Sequence, residues 1–209
     1  GRGGSTATLQ ELKTGCGVGC ETCPEGAMCN ATALPAPNYC PVGHYNPDKG
    51  SQTAGGCREC ESGSFQAQTG SLQCTPCAAG TFSLTKGSTA CPSCAAGGFC
   101  EEVGASSASV FKLCPPGTWS DTIGLNSSEG CRLCGEGTYQ PITGANSSSS
   151  CLACPVGTVS AVSGVQFCSR CLGGSYQNLT GGTACFPCTA GSYCPEGAAA
   201  PLPCKQGTY

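Results

Sequence analysis

Cys114-Pro-Pro-Gly-Thr-Trp119, followed by Cys131 and then by Cys134-Gly-Glu-Gly-Thr-Tyr139, is the stretch whose reading decides the fold. A cysteine is followed three residues on by glycine and five residues on by a large apolar side chain, and the same phase restarts at the next Cys-x-x-Cys. Working toward the N-terminus, it recurs at Cys94/Gly97/Phe99, Cys77/Gly80/Phe82, Cys60/Gly63/Phe65, Cys40/Gly43/Tyr45 and Cys23/Gly26/Met28. Toward the C-terminus it recurs at Cys154/Gly157/Val159, Cys171/Gly174/Tyr176, Cys188/Gly191/Tyr193 and Cys204/Gly207/Tyr209. Eleven coincidences at three coupled positions define a tandem array.

Composition says what holds such an array together. Only 10% of the 209 residues are charged and 6% are aromatic, while Cys, Gly and Ser take the places of the usual core formers. With 23 cysteines, stability is expected from cross-links, as in secreted mini-domains too small to bury enough apolar surface. Closing a loop of this size contributes about 3 kcal/mol in the chain-entropy model. This cysteine density implies an oxidising compartment, outside the cell or on its surface. Four Asn-x-Ser/Thr sequons, at Asn30, Asn126, Asn146 and Asn178, agree with it. A net charge of −3 with nine scattered Lys and Arg residues gives no basic patch, which argues against nucleic acid. No apolar run is long enough to span a bilayer.

Loops between an opening cysteine and the next pair come in two lengths. Steps of 14 run from Cys60, Cys77, Cys154 and Cys171, and steps of 17 run from Cys40, Cys114 and Cys134. All seven carry a second glycine ten residues after the opener: Gly50, Gly70, Gly87, Gly124, Gly144, Gly164 and Gly181. The extra residues of the long loops therefore enter after that glycine, at a surface turn, and two of the three inserts bring a sequon, Asn126 or Asn146. Shorter spacers, Cys23 to Cys29, Cys94 to Cys100 and Cys188 to Cys194, are each followed by a stretch leading to the next opener. They divide the chain into an N-terminal segment (1–39), a first run (40–100), a second run (101–194) and the start of a further unit (195–209). Only Thr6 to Thr14 has helical composition. The expected fold class is small and disulfide-rich, mostly irregular with short β-hairpins and little helix, an elongated tandem-repeat rod.

Connectivity does not follow from spacing alone. The simplest rule joins each opener to the first cysteine of the next pair: Cys40–Cys57, Cys60–Cys74, Cys77–Cys91, Cys114–Cys131, Cys134–Cys151, Cys154–Cys168 and Cys171–Cys185. The short spacers add Cys23–Cys29, Cys94–Cys100 and Cys188–Cys194, and Cys16–Cys20 pair by default. Cys204 is left over, which is expected if the protein continues or if a neighbouring subunit closes that bridge.

With its Cys-Pro-x-Gly-Thr-Tyr/Trp opening and following Cys-x-x-Cys, as at Cys114 to Trp119 with Cys131 and Cys134, the chain resembles the ephrin-receptor-like cysteine-rich repeat. That repeat is related in layout to modules of tumour-necrosis-factor-receptor ectodomains. The resemblance covers about residues 20–209 and implies a ladder of small disulfide loops, and the family's first-to-second pairing supports the rule above. Similar repeats occur in long extracellular proteins of protists and algae, including surface and flagellar appendages, so the resemblance does not select one role.

Alternative chemistries find few parts. The pairs Cys57/Cys60, Cys74/Cys77 and Cys91/Cys94 have zinc-ribbon spacing, but each is shared between neighbouring units and His44 is the only histidine, so no metal or other cofactor is expected. His44 and the adjacent Glu101 and Glu102 read as surface side chains rather than as a catalytic set, and no enzyme is expected. Phe65, Phe82, Trp119 and Tyr139 read as a thin core laid on the cross-links, with a stripe for carbohydrate or a partner as the rival reading. Ala105 to Leu113, around Phe111, is the best non-repeating patch, and a hinge spacer is its plainer reading. The function expected from all this is a segment of an extracellular structural glycoprotein. It would be a stapled rod, carrying N-linked glycans, that self-associates into a filament, stalk, flagellar appendage or surface coat. The alternative is a receptor ectodomain segment that binds a protein ligand along its flank.

Overall fold

The computed structural model describes residues 23–29, 37–51, 54–205 and 207. The chain divides into two compact units, one formed by Gly1–Pro92 with Glu102–Val110 and the other by Ser93–Glu101 with Phe111–Tyr209. Both are built from the same rung.

Each rung begins where its first glycine turns the chain. All eleven first glycines have positive φ, from Gly137 at 72° to Gly207 at 88°, a region that costs a residue with a Cβ roughly 1–2 kcal/mol. In nine rungs two residues beyond that bend pair antiparallel with the two residues just before the next opener. Examples are His44–Tyr45 with Arg58–Glu59, Ser64–Phe65 with Thr75–Pro76, Thr118–Trp119 with Arg132–Leu133, and Ser175–Tyr176 with Phe186–Pro187. Nine such pairs, each two residues long, are the sheet structure of the described residues. Proline fits at Pro76, Pro187 and Pro203 because each strand is an edge.

Three-residue 3₁₀ turns at Ala54–Gly56, Ser128–Gly130 and Ser148–Ser150 stand immediately before Cys57, Cys131 and Cys151. These are the closing cysteines of the long loops, so the three-residue insertion is accommodated as one helical turn. A fourth turn, Ala108–Val110, lies in the spacer after Cys100. The helical reading of Thr6 to Thr14 lies outside the described residues.

Sulfur, not hydrocarbon, occupies the interior. The openers Cys40, Cys60, Cys77, Cys94, Cys114, Cys134 and Cys154 are fully buried, whereas their closing partners are mostly half-buried. The aromatic position five residues after each opener is not the core that the sequence suggests. Phe99 is buried, at 6% exposed, most of the others are half-buried, and Tyr193 is 54% exposed. These rings are flanked instead by a cross-strand partner. The Arg132 guanidinium lies 5.3 Å from the Trp119 ring centre, and the Tyr176 and Phe186 rings are 5.9 Å apart.

Candidate functional site

The part of the rung that joins it to its neighbours lies one residue beyond the aromatic, six after the opener. Asn46, Ser83, Ser120, Gln140, Ser160 and Gln177 occupy this position and are buried, while Gln66 is half-buried. In the short-spacer units the same position holds Cys29, Cys100 and Cys194, also buried. Its backbone is a two-way node. The Gln140 carbonyl accepts from the Gly117 amide of the preceding rung (2.8 Å), and the Gln140 amide donates to the Val165 carbonyl of the next (3.1 Å). Asn46, Gln66, Ser160 and Gln177 repeat both bonds.

Amide side chains at this node also clamp their own loop. The Gln66 Nε2 donates to the Gln73 carbonyl (2.8 Å), and its Oε1 accepts from the Gln68 amide (3.0 Å). Gln140 does the same with Ser150 and Ile142, and Gln177 with Ala184 and Leu179. In each case the accepting carbonyl belongs to the residue just before the closing cysteine. A buried amide thus satisfies two backbone groups that the turn would otherwise leave unpaired.

The second glycine completes the joint. Its amide donates to the carbonyl of the preceding opener, as Gly70 to Cys40 (2.9 Å), Gly144 to Cys114 (2.9 Å) and Gly181 to Cys154 (2.8 Å). Gly104 and Gly197 make the same bond to Cys77 and Cys171, so two short-spacer units share this feature. A closer approach spans two rungs. A β-carbon on Gly43, Gly117 or Gly137 would fall inside the contact distance of the carbonyl oxygen of Gly87, Gly164 or Gly181, respectively. These rungs therefore approach the rung after next as well as their neighbour, closer coupling than a purely nearest-neighbour array has.

Among the described residues ten disulfides are formed: Cys23–Cys29, Cys40–Cys57, Cys60–Cys74, Cys77–Cys91, Cys94–Cys100, Cys114–Cys131, Cys134–Cys151, Cys154–Cys168, Cys171–Cys185 and Cys188–Cys194. Cys204 is half-buried and has no disulfide partner among the described residues. Cys16 and Cys20 lie outside the described residues, as does Asn30. Asn126, Asn146 and Asn178 are exposed, the first two lying two residues before the 3₁₀ turns of their loops. Among the described residues no group of three or more His, Cys, Asp or Glu side chains is placed to hold a metal ion. His44 donates from Nδ1 toward the Val42 carbonyl (3.2 Å), and its Nε2 stands 4.0 Å from Glu59. Glu101 is ion-paired with Lys112, and Glu102 is exposed. In the 105–113 spacer Ala105 is buried, half-buried Phe111 lies over Gly98, and Leu113 is exposed. No helix among the described residues is long and apolar enough to cross a membrane.

A family model described as tyrosine-protein kinase ephrin type A/B receptor-like matches residues 67–110 and 117–166. Over these two segments the chain is similar to the ephrin-receptor-like cysteine-rich repeat. No curated protein gives a significant match. The ephrin-receptor-like repeat is a non-catalytic module type of extracellular proteins, which agrees with ten disulfides among the described residues.

Proposed function

We propose that this chain is a segment of an extracellular structural glycoprotein whose rungs act as a covalently stapled scaffold within a filament, stalk, appendage or surface coat. The observation that supports this reading is the recurrence of one joint. The same amide-to-carbonyl bonds at the two glycines and at the node six residues after the opener appear in rung after rung, whatever side chains the turns carry. An array of this kind keeps a defined form without a large core and presents short, cross-linked loops to proteases. In this reading residues 40–100 and 101–194 are two successive runs of rungs, and Asn126, Asn146 and Asn178 are glycan acceptors on exposed turns. Electron microscopy of the native assembly, with light scattering of the secreted, oxidised chain, tests the reading. Fibres or arrays support it, and concentration-independent single particles contradict self-association.

One observation favours the second reading, a ligand-binding ectodomain segment. The turn just before the second glycine is polar at Asp48 and Lys49, Gln68 and Thr69, and Thr85 and Lys86, with ion pairs Arg58–Asp48 (2.6 Å), Lys49–Glu25 (3.7 Å) and Lys86–Glu61 (2.9 Å). In later rungs it presents exposed Val103, Ile123, Ile142, Val162 and Leu179. A scaffold indifferent to partners has no need of that difference. Pull-down with the Ile142→Ser, Val162→Ser double variant as control separates the readings, because a ligand using these turns is lost while fibre formation persists.

A further inference from the structure

We infer that the loop closed by Cys77–Cys91 contains a recognition slot for a side-chain carboxamide supplied by another polypeptide segment, the glutamine side chain being the group that fits it. The inference concerns this one loop and does not depend on whether the chain is a filament or a receptor.

The slot is defined by comparison between rungs of the same chain. The loop from Cys60 to Cys74 and the loop from Cys77 to Cys91 have the same length and share the bonds at the second glycine and the serine after it. In each the second glycine donates to the preceding opener, Gly70 to Cys40 (2.9 Å) and Gly87 to Cys60 (2.8 Å). In each the serine after that glycine bonds back across the turn, Ser71 Oγ to the Gln68 carbonyl (3.1 Å) and Ser88 Oγ to the Thr85 carbonyl (2.8 Å). What differs is the node. Gln66 fills the first loop with its amide, which donates to the Gln73 carbonyl and accepts from the Gln68 amide. Ser83 occupies the equivalent place in the second loop, and its hydroxyl turns to the Thr85 carbonyl (3.1 Å) and to Ser88.

The two backbone groups that a glutamine amide would satisfy are then the Thr85 N–H and the Ala90 carbonyl, and neither has a hydrogen-bond partner among the described residues. They border a depression of about 480 Å³ lined by Phe82, Ser83, Leu84, Thr85, Ala90 and Pro92, among others. One donor and one acceptor against an apolar wall are the complement of a primary amide on a short aliphatic stem, the arrangement that Gln66, Gln140 and Gln177 realise within their own loops. The other short loop with serine at the node, that of Ser160, has the bulky Phe167 in place of Ala90.

The test is an amide NMR titration of the oxidised, isotopically labelled chain with the probe N-acetyl-Leu-Gln-N-methylamide and its glutamate counterpart. The glutamine probe is expected to shift the Thr85 resonance saturably. The glutamate probe, which offers no donor to the Ala90 carbonyl, should bind about tenfold more weakly. Ser83→Gln fills the slot from within and should abolish the shifts. Gln66→Ala opens an equivalent slot in the preceding loop and should create new shifts at Gln68, which keeps the test decisive if Ser83→Gln does not fold. Absence of a saturable shift at Thr85, equal binding of the two probes, or undiminished binding by folded Ser83→Gln would each overturn the proposal. None of these outcomes bears on assembly of the chain.

Discussion

Gly137→Ala and Gly174→Ala make the same chemical change at the same position of two rungs, with different expected costs. Gly137 has φ of 72° and Gly174 of 86°, so alanine at either must enter the left-handed region at about 1–2 kcal/mol. At Gly174 the added methyl meets nothing within 4 Å, so that cost is the whole effect. At Gly137 the methyl would overlap the carbonyl of Gly181, two rungs along. The frame there is pinned by Gly137 N–H to Ser160 O (2.9 Å), Cys154 N–H to Gly137 O (2.9 Å) and Gly181 N–H to Cys154 O (2.8 Å). Relieving the overlap displaces these bonds together, adding roughly 1–3 kcal/mol, the usual cost of overpacking. The total expected for Gly137→Ala is therefore about 2–5 kcal/mol, against about 1–2 kcal/mol for Gly174→Ala. Amide hydrogen exchange on the oxidised chain reads this locally. Protection of the Cys154 and Gly181 amides should fall by more than tenfold in Gly137→Ala relative to Gly174→Ala. Equal losses in the two variants would refute the two-rung contact.

Gln177→Met keeps the volume at the node but strands the Leu179 amide and the Ala184 carbonyl. It should cost about 1–3 kcal/mol, read as a lower thermal midpoint and faster exchange at Leu179. Secretion from a glycosylating host should load Asn126, Asn146 and Asn178, each detected by the mass change at that asparagine on enzymatic deglycosylation; unmodified asparagines in fully oxidised protein would refute the assignment. Hydrogen bonding and charge from Glu61 raise the pKa of Lys86 above the ordinary lysine value. Stability from this exposed pair is therefore present below that value and is lost as pH rises through the raised one. Glu61→Gln should leave the pH dependence of the thermal midpoint unchanged between pH 6 and 9, with at most a small uniform offset from this exposed pair.

The rung was legible in the sequence because its signals are chemically unique at fixed phase. Gly43 or Gly117 cannot be exchanged where φ is positive, and a three-residue difference in loop length has to appear at the turn, where the 3₁₀ segments before Cys57, Cys131 and Cys151 stand. The node was not legible. Asn46, Gln66, Ser83, Ser120 and Cys100 share no side-chain class, and a search for core positions passes over buried polar residues to settle on the aromatic one place earlier. Yet Phe65 and Trp119 are only half-buried, whereas Ser120 is fully buried. Contact between rungs two apart was hidden for another reason. A strict repeat reveals its period but not how far along the array each unit reaches, and the approach of Gly117 to Gly164 follows from the turn geometry at both ends. The candidate slot at Ser83 became visible only once Gln66 and Gln177 had shown what normally fills that space.

Cross-links, rather than an apolar interior, hold every rung in place, and stepwise reduction followed by amide NMR tests this most directly. With the sulfurs of Cys40–Cys57 through Cys171–Cys185 reduced and alkylated, the dispersed spectrum should collapse to that of an unfolded chain at neutral pH and room temperature. A fully reduced chain that keeps its dispersion and the protected amides of Gly70, Gly144 and Gly181 would contradict it.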